Sequence, residues 1–166
     1  MHARTFLASA CLVLGFTLQP ARAAPPPGYA FLPYDQALRT AEKDGRPIFV
    51  YFGREGCPTC DQTNRESLAD PELRQAFHER YVLSYVDAEG GARLTLPSGE
   101  RVTEMDLNAR LGVLGTPTFF YLLPTGEPVL KRAGFQSAAD FRLYDRYVRE
   151  GHYKTQTLAQ FRESVQ

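Results

Sequence analysis

The chain has 166 residues, of which 43% are hydrophobic and 23% charged, and its 19 basic residues balance its 19 acidic ones. That length suits one domain with a proper core, and the even charge leaves no basic footprint for nucleic acid. Three cysteines are too few for a disulfide-stapled scaffold.

Residues 1–23 read as a cleavable signal peptide. Arg4 supplies a positive start, Phe6 to Leu18 an apolar stretch, and Ala21-Arg22-Ala23 a small-residue cleavage pattern. The apolar stretch is shorter than the roughly 20 residues of a membrane span. Export to the periplasm follows as an expectation. Without this segment the charge balance turns slightly acidic, and Cys57 and Cys60 are the cysteines left. Residues 24–31, with Pro25-Pro26-Pro27, read as an extended tether, and residues 32–166 as the domain.

In chain order, Leu32 to Asp44 has Tyr34, Ala37, Leu38 and Ala41 at helical spacing, closed by Gly45. Ile48 to Phe52 is a run of β-branched and aromatic residues and predicts a buried strand. Gly53-Arg54-Glu55-Gly56-Cys57-Pro58-Thr59-Cys60 follows, then a helix-compatible segment to Leu68. Pro58 fits the first turn of a helix, which places Cys57 at its N-terminus. Unpaired N–H groups and the helix dipole there favour a thiolate. Cys60 lies on the same helical face, within disulfide reach. An attacking thiolate beside a resolving thiol is the equipment for thiol–disulfide exchange. Structural zinc normally takes four protein ligands, and neither His78 nor His152 has ligand spacing to the pair, so no metal site is expected. A structural disulfide across so short a loop would constrain little of the unfolded chain.

Asp70-Pro71-Glu72 opens another helix, with Asp70 as cap and His78 near the far end as a dipole partner. Tyr81 to Val86 predicts a second strand. Residues 88–103 form an irregular insert in which Leu94–Leu96 and Arg101–Thr103 flank a Gly-containing turn, as in a hairpin. Thr103 to Asp106 resembles a capping box opening a helix through Leu111. Thr118 to Leu123 predicts a strand, turned by Pro124 to Glu127 into a partner, Pro128 to Arg132. Ser137 caps a helix to about Glu150, and Thr157 to Val165 adds a terminal one. The order β-α-α-β, insert, α-β-β-α predicts an α/β fold: a mixed central sheet flanked by helices.

Gly115-Thr116-Pro117-Thr118, about 57 residues after the cysteine pair, resembles the cis-proline loop of the thioredoxin superfamily. The resemblance covers nearly all of residues 32–166. It implies a thioredoxin-like fold with an insert before the cis-proline loop, catalytic roles for Cys57 and Cys60, and substrate positioning by Thr116 and Pro117. It also implies a Cys57 more exposed than Cys60, no organic cofactor, and disulfide-containing proteins as partners. More narrowly, the export-type leader, the insert, Gly126-Glu127 and the tail from Tyr147 to Lys154 resemble exported SoxW-type thioredoxins of bacterial sulfur oxidation. That resemblance implies sulfur-carrier or cytochrome-assembly partners and a membrane electron donor of the CcdA or DsbD kind.

The chain departs from cytosolic thioredoxin. Gly56 stands where that family has Trp, Tyr51 where it has a buried acid, and Leu83 where it has the accompanying lysine. Glu55 or water is left as a replacement proton acceptor. Pro58-Thr59 matches the order in glutaredoxins and disulfide-introducing oxidases, so Pro58, Thr59 and Glu55 tune the potential without fixing the direction of electron flow. A disulfide-donating oxidase and a copper(I)-delivery module remain alternatives. The second would rest on two soft thiolates, with Met105 as the one methionine beyond the leader.

Overall fold

The computed structural model describes residues 25–165; the leader at 1–23 lies outside them. Among the described residues no helix is long and apolar enough to cross a membrane.

Four strands form the central sheet: β1 (Ile48–Gly53), β2 (Val82–Asp87), β5 (Thr118–Leu122) and β6 (Pro128–Ala133), in the order β2-β1-β5-β6. The first, β1, is fully buried and pairs parallel with β2, Tyr51 facing Tyr85, and antiparallel with β5, Tyr51 facing Phe119. A buried strand with neighbours on both sides accounts for its unbroken apolar run. The parallel pair is joined by α2 (Pro58–Glu66) and α3 (Pro71–Arg80), and β5 turns directly into β6. The edge strand β6 carries Pro128, Lys131 and Arg132, which discourage further pairing.

Alternation along β1 divides the core. Phe49 and Tyr51 face one layer with Leu73 and Phe77 of α3, Phe141 and Tyr144 of α5 (Ala138–Arg149) and Phe161 of α6 (Leu158–Ser164). Ile48, Val50 and Phe52 face the other, with α1 (Tyr34–Asp44), the hairpin β3 (Arg93–Thr95) and β4 (Arg101–Thr103), and Leu107 of α4 (Glu104–Arg110). The first layer is mostly aromatic: Phe49 meets the Phe77 ring at 4.7 Å and Phe119 meets Phe141 at 4.9 Å, both edge-on. Such pairs add about 0.5–1.5 kcal/mol each beyond the area they bury.

Helix starts follow local chemistry. Asp70 accepts from Leu73 N–H, and Thr103/Asp106, Ser137/Asp140 and Thr157/Gln160 form reciprocal capping boxes.

Two features differ from the sequence expectations. The first helix begins at Tyr34 rather than Leu32, because Leu32 donates its N–H to Leu83 O and bridges in parallel to Ser84. Residues 25–31 are not a free tether. A turn at Pro27–Gly28 brings Gly28 O to 2.9 Å from His78 Nε2, and the Tyr29 hydroxyl donates to Leu68 O. Tyr29 and Phe31 pack against the aromatic layer. Their rings outweigh the preference of the prolines for solvated extension.

Candidate active site

The first strand delivers the cysteines through a tight turn, and two glycines in it are required by geometry. A Cβ on Gly53 would stand 2.5 Å from the Tyr85 hydroxyl, and Gly56 has φ +64°, which residues with side chains avoid. The second fact is a backbone reason why no Trp precedes Cys57.

Cys57 is the N-cap of α2. Its backbone is extended, Pro58 fills the first helical position, and its Sγ accepts the Cys60 N–H at 3.2 Å. Sulfur thus takes the place that Ser or Asp fills at other helix starts. Cys57 and Cys60 are joined as a disulfide, with Cα atoms 5.2 Å apart.

The loop before β5 closes over the pair. The Thr116–Pro117 peptide is cis. Thr116 O lies 3.3 Å from Cys57 Sγ, and the Thr116 hydroxyl donates to that sulfur at 3.3 Å. Two further bonds hold the loop: Thr118 Oγ1 donates to Gly115 O at 2.6 Å, and Gly134 N donates to Pro117 O at 2.8 Å.

The exposure expected to distinguish the cysteines is absent: Cys57 is 3% exposed and Cys60 4%. The cause is Thr116, whose backbone and side chain both lie against Cys57 Sγ. Pro58 is exposed and Thr59 half-buried, with Thr59 O accepting from Thr63 Oγ1. Glu55 is exposed on the turn; Arg54 donates to its backbone oxygen, and its carboxylate makes no hydrogen bond to either cysteine. Its candidacy as proton acceptor gains no support from this placement.

Tyr51 instead lies on the buried side of the site. Its hydroxyl donates to Asn64 Oδ1 at 3.2 Å, and its ring meets Tyr85 edge-on at 5.2 Å. Asn64 is one helical turn beyond Cys60, on the same face. Burial pushes both phenols well above their ordinary pKa; Asp61 adds to the effect at Tyr51, and Tyr51, Asp87 and Glu104 add to it at Tyr85. Both therefore stay protonated through the physiological range and act as hydrogen donors rather than bases. Leu83 is buried opposite Phe49.

Sequence reasoning missed the Tyr51–Asn64 bond and the packing of Tyr85 on the turn. The shared parity of Tyr51 and Tyr85 along paired strands was the available signal. The histidines stand elsewhere: His78 on Gly28 O, and His152 stacked on Phe161 with Nε2 3.0 Å from Glu150. Among the described residues no group of three or more His, Cys, Asp or Glu side chains converges as a metal site.

This arrangement suits a negative charge on the Cys57 sulfur. A thiolate there is met by two hydrogen donors, the Cys60 N–H and the Thr116 hydroxyl, at the positive end of a helix. Cys60 is placed to attack Cys57 from within the same turn.

Comparison with known proteins agrees with this geometry. A family described as a thioredoxin-like domain matches residues 34–149. No curated protein matches the chain. Among solved structures, a thioredoxin from Thermus thermophilus is 32% identical, with 73% of this chain and 87% of that one covered and a TM-score of 0.59. A thioredoxin-fold protein from Helicobacter pylori is 18% identical, covering 71% and 83%, with a TM-score of 0.64. A DsbH oxidoreductase is 20% identical, covering 81% and 94%, with a TM-score of 0.57. The last two bear on the fold alone.

Proposed function

The chain belongs to the thioredoxin-like family and carries its redox-capable cysteine pair, and from that premise we propose that it is a periplasmic reductase of protein disulfides. In the reduced form the Cys57 thiolate attacks one sulfur of a substrate disulfide. The sulfur that is not attacked leaves first, as a thiolate, and takes a proton, while the attacked sulfur stays bonded to Cys57 in a mixed disulfide. The Cys60 thiolate, after loss of its proton to solvent, attacks Cys57 Sγ and expels the second substrate sulfur as a thiol. Two electrons pass to the substrate, and the Cys57–Cys60 disulfide is left. Thr116 and Pro117 guide the substrate chain past Cys57.

The observation that carries this reading is Cys57 at the head of α2, bonded by Cys60 N–H and Thr116 Oγ1. The leader at 1–23 supports export. With the 88–103 insert and the tail, it supports the narrower SoxW-type reading, with sulfur-carrier or cytochrome-assembly proteins as substrates. A reductase in an oxidising compartment needs electrons from across the membrane, which points to a thiol transporter of the CcdA or DsbD kind. The same thiolate-stabilising contacts favour a second reading, an oxidase that donates its disulfide, since a stabilised reduced form raises the potential.

The reduction potential of the Cys57–Cys60 couple, equilibrated against glutathione and dithiothreitol, separates the two. A value near about −270 mV supports the reductase; one near about −120 mV overturns it in favour of disulfide donation.

A further inference from the structure

The helix that carries the cysteines has almost no apolar hold on the rest of the molecule. Of the nine residues of α2, Cys60 and Thr63 are the buried ones, and the Thr63 hydroxyl donates back into the helix, to Thr59 O. By contrast, α5 buries Phe141, Tyr144, Tyr147 and Val148. Just past the end of α2, Ser67 and Leu68 are fully buried, and Ser67 Oγ donates to Gln136 O at 2.7 Å. The far end of the helix is thus anchored. Its start, where Cys60 sits, is held by the Cys57–Cys60 disulfide and by a bond from the Tyr51 hydroxyl to Asn64 Oδ1 at 3.2 Å. Among the described residues this is the one side-chain hydrogen bond between α2 and a strand of the sheet.

Tyr51 is suited to hold a helix in place. It is 1% exposed on β1, with paired strands on both sides. Its ring lies 4.9 Å from that of Phe119 and 5.2 Å from that of Tyr85. A side chain so enclosed lost its rotamer freedom on folding, so its hydroxyl is a fixed point. Asn64 stands one turn beyond Cys60 on the same helical face. The bond therefore sets how that face is turned about the helix axis.

Exchange removes the other tether. Once a substrate sulfur occupies Cys57, the bond to Cys60 is open, and Cys60 must meet Cys57 Sγ again. We propose that Tyr51 is a positioning residue for that step: through Asn64 it keeps the Cys60 face turned toward Cys57 while the disulfide is broken. The proposal rests on the disulfide-exchange reading. Cys60 then attacks at a high effective concentration, the bond from Cys57 to the substrate breaks, and the substrate sulfur leaves as a thiolate and takes a proton. Tyr51 gives up no proton in this step; its contribution is the bond to Asn64.

The test is a double-mutant cycle in the full domain, with Tyr51→Phe, which keeps the ring, and Asn64→Ala, which suits a helix. Two quantities are read. One is the equilibrium constant for oxidation of the cysteine pair by glutathione. The other is the release of the second thiol in a single turnover with a fluorescent peptide disulfide. Each single variant lowers both by about fivefold, the worth of one ordinary hydrogen bond, which raises the reduction potential by about 20 mV. Release of the first thiol and the pH dependence of Cys57 alkylation stay as in the wild type. The double variant loses no more than either single one. A variant that lowers the urea midpoint but moves neither quantity makes the bond merely structural and overturns the proposal. Losses that add in the double variant overturn it too, and so does equal slowing of both releases. If Tyr51→Phe fails to fold, Asn64→Ala alone decides, since unmoved readings there overturn the proposal as well. A wild-type chain that releases no thiol would instead overturn the exchange reading, and this proposal with it.

Discussion

Thr116 meets Cys57 twice, with its carbonyl oxygen and its hydroxyl each 3.3 Å from Cys57 Sγ. The contacts have opposite electrostatic sense. A carbonyl accepts from a thiol and repels a thiolate, whereas a hydroxyl donates to a thiolate. With the Cys60 N–H added, two donors face one acceptor, and the balance favours the charged form. Thr116→Val keeps the β-branched shape and the carbonyl but removes one donor. A hydrogen bond to a charged group contributes about 1.5–3 kcal/mol, so without it the Cys57 thiolate forms less readily and alkylation moves to higher pH. The pH dependence of alkylation by iodoacetamide measures this. An unchanged profile means that the hydroxyl does not act on the thiolate.

The two cysteines part company under substitution. Under the proposed exchange, Cys60→Ser keeps the attacking thiol and removes the resolving one, so substrates accumulate as mixed disulfides on Cys57. Cys57→Ser removes the nucleophile, and neither reduction nor trapping remains. Non-reducing electrophoresis after incubation with a protein disulfide reads both. Trapping by the Cys57→Ser chain would reverse the assigned roles.

Which parts of this site were legible in the sequence follows from the range of the forces involved. Caps depend on residues three apart, so Asp70, Thr103/Asp106 and Ser137/Asp140 could be read directly, and so could Cys57 before Pro58. The strands around Phe49 and Phe119 were legible as apolar runs. Contacts between distant segments were not. Nothing near Tyr29 says that its hydroxyl ends on Leu68 O, and nothing near Leu32 says that it bridges to Ser84. The burial of Cys57 is of the same kind, since a loop 59 residues away creates it.

Asp145 is the buried acid of the helical layer, 4% exposed, and three groups converge on it. Arg80 Nη1 contacts one carboxylate oxygen, Tyr81 donates its hydroxyl to the other at 3.1 Å, and Arg149 Nε stands 3.8 Å away. Removal of one partner of a fully buried pair costs about 3–5 kcal/mol. Arg80 and Arg149 are 40% and 45% exposed, however, and water takes over their charge. What remains is the buried Tyr81 hydroxyl without its acceptor, so Asp145→Ala destabilises by about 2 kcal/mol. A shift in the urea midpoint at constant slope measures it. A loss below about 0.5 kcal/mol would show that Tyr81 finds another acceptor.

Acid stability has a definite sign. The Leu73 N–H and the Arg142 guanidinium hold the Asp70 carboxyl below its ordinary pKa. Burial raises Asp140, but the Ser137 bonds and Arg162 outweigh it and leave Asp140 lowered as well. Groups depressed in the folded state contribute stability above the unfolded value, near about 3.9, and lose it as pH falls through the folded value. The urea midpoint therefore drops from about pH 4 downward. Asp70→Asn lowers stability at pH 7 and makes the acid drop shallower. A drop as steep as in the wild type would remove Asp70 from the explanation.

Lys131 ties the edge of the sheet to the loop that covers Cys57. Its ammonium donates to Leu111 O at 3.1 Å and Gly112 O at 2.6 Å, the carbonyls at the C-terminal end of α4, where a positive charge also complements the helix dipole. Five residues later the same chain segment reaches Pro117. The bonds are exposed, so their contribution to global stability is small, about 1 kcal/mol or less. Their effect is on placement: they fix where α4 ends and where Val113 to Gly115 begin. Lys131→Met keeps the stem over the Phe120 ring, which the ammonium approaches at 5.2 Å, and removes the donors. Amide exchange at residues 111–116 then accelerates while exchange in β1 is unchanged. Reduction of peptide disulfides slows more than that of hydroxyethyl disulfide, because only the peptides need the loop in register. Equal slowing of both substrates would place the effect at the cysteines instead, and unchanged exchange would show that the loop is held without Lys131.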